Sequence, residues 1–178
     1  MERKMIRLAD FNTNIFDIFS RRWMLLTAGD FETGKFNTMT IGWGMMGTFW
    51  SKPMVMVGVR PQRYTREFMD DYPTFTLSVF PESYQEKLAY CGAHSGRDGD
   101  KIKECKLTPV RSEYVEAPTF AEAELSLECR SLYAQPLMAK CLMEKMLMKK
   151  LYPEHDLHKI YLAEVKAITA TEAYRTEL

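Results

Sequence analysis

Residues 36–59 form a run of 24 positions with one charged side chain, Lys52, where the chain's 27% charged composition would place about six. Four of the nine glycines, Gly42, Gly44, Gly47 and Gly58, fall in the same run. Such a segment either crosses a membrane or is buried by the fold. A span needs about 20 predominantly apolar residues, and this run is interrupted by Asn37, Thr38, Thr40, Ser51, Lys52 and Pro53. Burial is what remains, as a pair of strands joined across Asn37 to Thr48.

The rest of the composition allows that burial. The chain has 178 residues, 46% of them hydrophobic, enough for a core without disulfides or a structural metal. One domain over residues 1–178 is expected, with a helical insertion at 136–152. Lys plus Arg number 24, as do Asp plus Glu. That balance lacks the basic excess of a general nucleic-acid binder. No apolar h-region follows Met1-Glu2-Arg3-Lys4, so no export signal is visible. Cys91, Cys105, Cys129 and Cys141 show no CxxC pair and no zinc spacing. A cytoplasmic protein with reduced thiols is expected, with neither membrane nor nucleic acid as partner.

Strand and helix signals alternate along the chain. Arg22 to Asp30 and Phe36 to Trp43 read as a β-hairpin turned by Phe31-Glu-Thr-Gly34-Lys35. Pro53 to Val59 is a continuous apolar strand. Pro61 then suits the first position of a short helix, with Tyr64 and Phe68 on one face and Asp70, Asp71 and Pro73 at its end. Thr74 to Phe80 alternates as a strand. Ser83 and Glu86 form a capping box for a helix closed by Gly92. Phe120 to Tyr133 reads as one long strand, Leu137 to Leu151 as a Met-rich helix bounded by Pro136 and Pro153, and Lys159 to Thr171 as a last strand. The sum is a mainly β fold with peripheral helices, most simply a barrel.

Three segments carry candidate chemistry, each with a plain structural alternative. Arg60, Arg63, Tyr64 and Thr65 gather two guanidiniums, a phenol and a hydroxyl where a strand hands over to a helix. They suit a phosphate, or they are solvated. Ser95, Gly96, Arg97 and Lys101 allow close backbone approach to a ligand, or form a polar surface loop. Asn37, Met39, Thr40, Ile41, Gly42 and Trp43 make an uncharged wall for a flat heteroaromatic ligand, or a core hairpin. His155 and His158 lack further ligands for a metal, and no nucleophile–base order suggests a hydrolase.

Taken in order, Asn37-Thr-Met-Thr-Ile-Gly-Trp43, Lys52-Pro-Met-Val-Met-Val, Arg60-Pro-Gln-Arg63-Tyr64-Thr65, Ser78-Val-Phe80, Cys91-Gly92 with Ser95-Gly96-Arg97 and Asp100-Lys101, and His158-Lys-Ile-Tyr161 resemble the flavin reductase-like, FMN-binding split-barrel family, within it the flavoredoxin group. Many members carry Tyr-x-Gly-Glu in the last strand, where this chain has Tyr161-Leu162-Ala163-Glu164. The resemblance implies a homodimer of Greek-key split barrels with one FMN per subunit near the dimer interface. It places Arg60, Arg63, Tyr64 and Thr65 at the phosphate, Met39 to Trp43 along the isoalloxazine with Asn37 and Thr48 in the same wall, and Ser95, Gly96, Arg97 and Lys101 closing the site. Lys101 and Arg97 are expected near flavin N1 and C2=O. No side chain is expected to act as a catalytic acid or base, because the flavin carries the chemistry. The implied activity is NAD(P)H-dependent flavin reduction, with NADH or NADPH as donor. The alternatives are an electron carrier fed by a redox protein partner and a split-barrel ligand-binding protein without redox activity.

Overall fold

β-Branched and aliphatic residues at alternate positions roll one sheet into a split barrel, seen in a computed structural model that describes residues 2–176. Its strands are β1 (Lys4–Met5), β2 (Met24–Asp30), β3 (Lys35–Ile41), β4 (Gly44–Phe49), β5 (Lys52–Val59), β6 (Thr74–Val79), β7 (Pro109–Val110), β8 (Thr119–Phe120), β9 (Leu125–Pro136) and β10 (Lys159–Ala170). The helices are short: α1 (Ile15–Asp17), α2 (Thr65–Asp71), α3 (Gln85–Ala93), α4 (Lys101–Glu104) and α5 (Met146–Leu151). The main sheet runs β3-β2-β6-β9-β10-β5-β4, with β1 also on β10, and every pairing is antiparallel. β7 and β8 pair separately. β3 and β4 are the two ends of the sheet path, yet only Gly42 and Trp43 separate them in the chain.

The two faces of the wall feed two cores. Leu26, Met39, Val57, Phe75 and Leu127 point into the barrel. Leu25 and Phe80 point outward, under Leu88 and Cys91 of α3. β2 and β6 are therefore buried on both faces. Each such aliphatic side chain contributes about 1.5–3 kcal/mol by leaving water. The outer layer holds α3 against β3, and α2 against β2 and β3.

The hairpin forms as its turn chemistry requires. Asp30 pairs Lys35, and Gly34 takes φ 68°, a left-handed value open to glycine. Tyr64 and Phe68 meet edge to face at 5.2 Å.

Several expectations are corrected. The uncharged run holds three strands instead of two, and β4 is largely exposed. Gly44 and Gly47 leave that edge strand too little apolar side chain to announce itself. α2 begins at Thr65, because Pro61 and Gln62 first make a turn closed by the Arg63 N–H on Arg60 O at 3.2 Å. Ser83 caps nothing: it lies in a 3₁₀ turn, Glu82–Tyr84, and α3 starts at Gln85. Gly92 sits inside the last turn of α3, where a Cβ would come within 3.2 Å of Thr40. Phe120 and Leu125 belong to separate strands, β8 and β9.

The long Met-rich helix is absent. Pro136 still pairs with Lys159 at the end of β9, and the Leu137 N–H donates to His158 O at 2.8 Å. A 3₁₀ turn, Ala139–Cys141, follows, and only Met146–Leu151 is α-helical. Met143 is 96% exposed. The Met stripe has helical spacing but stays largely exposed at Met138, Met143, Met146 and Leu147, and packing is what stabilises most short helices.

Candidate functional site

Where β5 leaves the barrel, its last residues deliver Arg60 to a junction of two adjoining clefts. The clefts share Met39, Arg60 and Arg63. One, about 490 Å³, is walled by Thr40 and Ile41 of β3, the Gly42–Trp43 link, Gly58 of β5, His158, and Leu88, Ala89 and Gly92 of α3. The other, about 350 Å³, is walled by Gln62, Tyr64, Thr65, Ala93, His94, Ser95 and Lys101. The first volume lies within the range of small-molecule sites. One end of the combined cleft is thus uncharged and partly aromatic, and the other is cationic and hydroxyl-bearing.

Close packing explains the wall at the uncharged end. A Cβ on Gly58 would meet the His158 ring at 3.3 Å, so glycine lets that ring lie against β5. The His158 ring sits 5.1 Å from the Trp43 ring, and its Nδ1 shares a 2.9 Å hydrogen bond with the Tyr152 hydroxyl. Burial, and then the Arg60 charge, push the His158 pKa down to about 4. Its ring is therefore neutral near pH 7. Thr40 Oγ1 donates to Leu88 O at 2.5 Å and ties β3 to α3.

The cationic end is held from several elements. Arg63 donates to Gly92 O at 2.5 Å. A guanidinium carries five N–H donors, so this bond leaves donors for a ligand. Arg60 pairs with Asp156 and donates to Leu151 O at 2.9 Å, while Gln62 donates to the same Asp156 carboxylate at 2.8 Å. The hydrogen bond from Gln62, then that from Arg60, hold the Asp156 carboxyl below its ordinary pKa. Lys101 is buried, and its ammonium donates to Cys91 O at 3.0 Å and His94 O at 2.9 Å. Burial lowers its pKa.

The structure gathers eleven of the expected residues around these clefts: Met39, Thr40, Ile41, Gly42, Trp43, Arg60, Arg63, Tyr64, Thr65, Ser95 and Lys101. Four lie elsewhere. Thr48 is on exposed β4 and lines a separate cleft with Leu8 and Phe11. Arg97 packs over the Tyr64 ring at 4.6 Å and pairs with Glu67, so it faces neither cleft. Asn37 and Gly96 line a third cleft of about 960 Å³. Asn37 Nδ2 donates to Thr65 Oγ1 at 2.8 Å, which makes it a support for Thr65. A Cβ on Gly96 would collide with Asn37 Oδ1, so that glycine is a packing requirement. Lys101 stands with Arg63 and Thr65 at the cationic end, its ammonium bonded to the C-terminal carbonyls of α3.

Sequence reasoning missed Trp23, Gly58, Gln62, Leu88, Ala89, Gly92, Ala93, His94 and His158 as wall residues. Gly58, two residues before Arg60, was the one available signal, a glycine interrupting a strand. Trp23 and His158 reach the cleft only through the register of β2 and β10. His155, by contrast, is exposed.

The residues present fit a flat ring joined to a phosphate: an uncharged slot with Gly42, Gly58 and the Trp43 and His158 rings in its wall, and cations and hydroxyls at one end. Comparison with known proteins places the fold and the family. A flavoredoxin from Methanosarcina acetivorans superposes with a TM-score of 0.68 at 26% identity, covering 96% of this chain and 77% of that one. An NADH:FAD oxidoreductase of Streptomyces globisporus superposes at 0.65 with 21% identity, covering 86% and 77%. An uncharacterized protein of Aeropyrum pernix is 26% identical over 143 residues, 80% of this chain and 47% of its own length. The chain spans about half to three-fifths of the length of the curated relatives it matches. Residues 16–177 match the flavin reductase like domain, and the chain belongs to that family.

Proposed function

We propose that the chain binds FMN in the joined clefts and acts as an NAD(P)H-dependent flavin reductase or a related oxidoreductase. The observation that carries this reading is the meeting of Arg60, Arg63, Thr65, Ser95 and Lys101 at one end of a cleft whose other end is uncharged. In this reading Arg60 and Arg63 hold the phosphate, with hydroxyls from Thr65 and Ser95 beside them. Met39, Ile41 and Trp43 bury the ring faces. Gly42 and Gly58 let main-chain groups approach its polar edge. His158, neutral near pH 7, adds an aromatic wall without a charge. When bound, FMN supplies the hydride and electron chemistry. The chain's residues bind and orient it, and no side-chain acid or base is required. A homodimer is part of the same proposal: Trp43, Met45, Phe49 and Trp50 are exposed along β4 and its turn, a patch suited to a second copy.

The test is spectroscopic. Purified protein, or protein incubated with FMN and desalted, is expected to show the visible band of oxidised flavin. Anaerobic NADH or NADPH is expected to bleach it within a turnover. A colourless protein that takes up no FMN would overturn the proposal. A second reading, an electron carrier fed by a redox protein, has support in the similarity to a flavoredoxin at 26% identity. Bleaching by dithionite but by neither nicotinamide nucleotide would favour it.

A further inference from the structure

The segment that closes the cationic end of the cleft is bracketed by two thiols. Cys91 lies in the last turn of α3, and Cys105 follows α4. Their sulfurs are 3.7 Å apart, and both side chains are buried in the outer core with Leu88 and Leu107. Between them the chain carries Gly92, Ser95 and Lys101. The ends are already drawn together. The Lys101 ammonium donates to Cys91 O at 3.0 Å, and the Cys105 N–H donates to Lys101 O at 3.0 Å. A disulfide needs its sulfurs at about 2.0 Å, which asks for a small closing movement of two side chains.

We infer that Cys91 and Cys105 are a cross-linking site, forming a reversible disulfide that staples α3 to α4 and fixes the segment carrying Ser95 and Lys101.

A small surface cleft of about 420 Å³, walled by Glu86, Lys87, Tyr90, Glu104, Cys105 and Lys106, gives Cys105 a route to solvent. Cys91 has no exposure. The order follows. Cys105 attacks a low-molecular-weight disulfide, forming a mixed disulfide and releasing one thiol. The Cys91 sulfur then attacks Cys105 Sγ, forming the internal bond and releasing the second thiol. Two cysteine thiols are oxidised, one external disulfide is reduced to two thiols, and the two cysteine protons end on those leaving groups. Burial, with Cys105 beside it, pushes the Cys91 thiol up to about 12, so the closing step is slow. Once closed, the bond constrains the 15 residues 91–105. The expected gain is on the order of 5–10 °C in Tm. On the FMN reading above, on which this consequence alone rests, FMN leaves the cross-linked protein several-fold more slowly.

The experiment uses the full chain with Cys141→Ser, which removes the exposed thiol. The protein is held with excess glutathione disulfide, alkylated after denaturation, and peptide-mapped. A linked Cys91–Cys105 peptide, a raised Tm and reversal by dithiothreitol are expected. Further substitution of Cys105 by Ser, or by Ala if Ser impairs folding, is expected to abolish all three. Full alkylation of both cysteines, or a glutathione adduct on Cys105 that never closes, would overturn the site. A linked protein with unchanged Tm and unchanged FMN release would overturn the fixing of the segment. Failure to bind FMN in reduced and oxidised protein alike would strike the FMN reading and leave the cross-link standing on the map and the Tm.

Discussion

Arg63 stands where the two clefts meet and spends one N–H on Gly92 O. Arg63→Ala is expected to weaken FMN binding at least tenfold, the worth of about 1.5–3 kcal/mol for a charged hydrogen bond, with the far-UV spectrum unchanged. Retained affinity in that variant would remove Arg63 from the phosphate. His158 sets a pH dependence. Its folded pKa, about 4, lies below the ordinary 6.5, so between those values the unfolded chain binds the extra proton. Stability therefore rises with pH across that window and falls on acidification from 6.5 towards 4, by about 2 kcal/mol after allowing for solvent screening. Urea unfolding at the two ends of the window should show the slope, and His158→Gln should flatten it. The arginines were legible because a strand that stops at Gly58-Val59 and delivers Arg60 changes the chain's period in plain sight. His158 was not, because its neutral state depends on burial in the folded chain and on the charge of Arg60, which a strand far away in sequence delivers.

At the scale of elements, legibility followed how much of an element's stability is local. The β2–β3 hairpin was readable from its turn, and Gly29 adds a requirement that only register reveals. Gly29 pairs with Phe36, takes φ 120°, and a Cβ there would strike Lys35 O and Phe36. Gly29→Ala is expected to destabilise the fold by roughly 2–4 kcal/mol, measured by chemical denaturation. β4 and α5 were unreadable or misread for opposite reasons. β4 has weak side chains and is held by backbone pairing to β5. The 137–151 stripe has strong periodicity but leaves Met138, Met143, Met146 and Leu147 exposed. Met143→Gln is accordingly expected to change monomer stability by less than about 0.5 kcal/mol. A larger loss would mean that the stripe is packed after all.

For the whole molecule, the zero net charge and the uncharged run have a common arrangement. Apart from Lys52, charge is excluded from the strands and cleft wall of residues 36–59, then returned at Arg60 and Arg63 where the two clefts meet. The exposed aromatic patch at Trp43, Phe49 and Trp50 belongs to the same sheet edge. Trp50→Lys is expected to shift the proposed homodimer towards monomer in sedimentation velocity, and an unchanged sedimentation coefficient would place the dimer face elsewhere. Among the described residues, no helix is long and apolar enough to cross a membrane.

The two rims of the split have one further property. Among the described residues β3 and β4 share no ladder: β3 is paired to β2, and β4 to β5. A two-residue link joins them, and it forms part of the slot wall. A ring lying on Gly42 and Trp43 would therefore act as a rivet between the loose ends of an open ribbon. Amide hydrogen exchange should slow along both rims together when FMN is added, β4 included, although no β4 residue lines the proposed site.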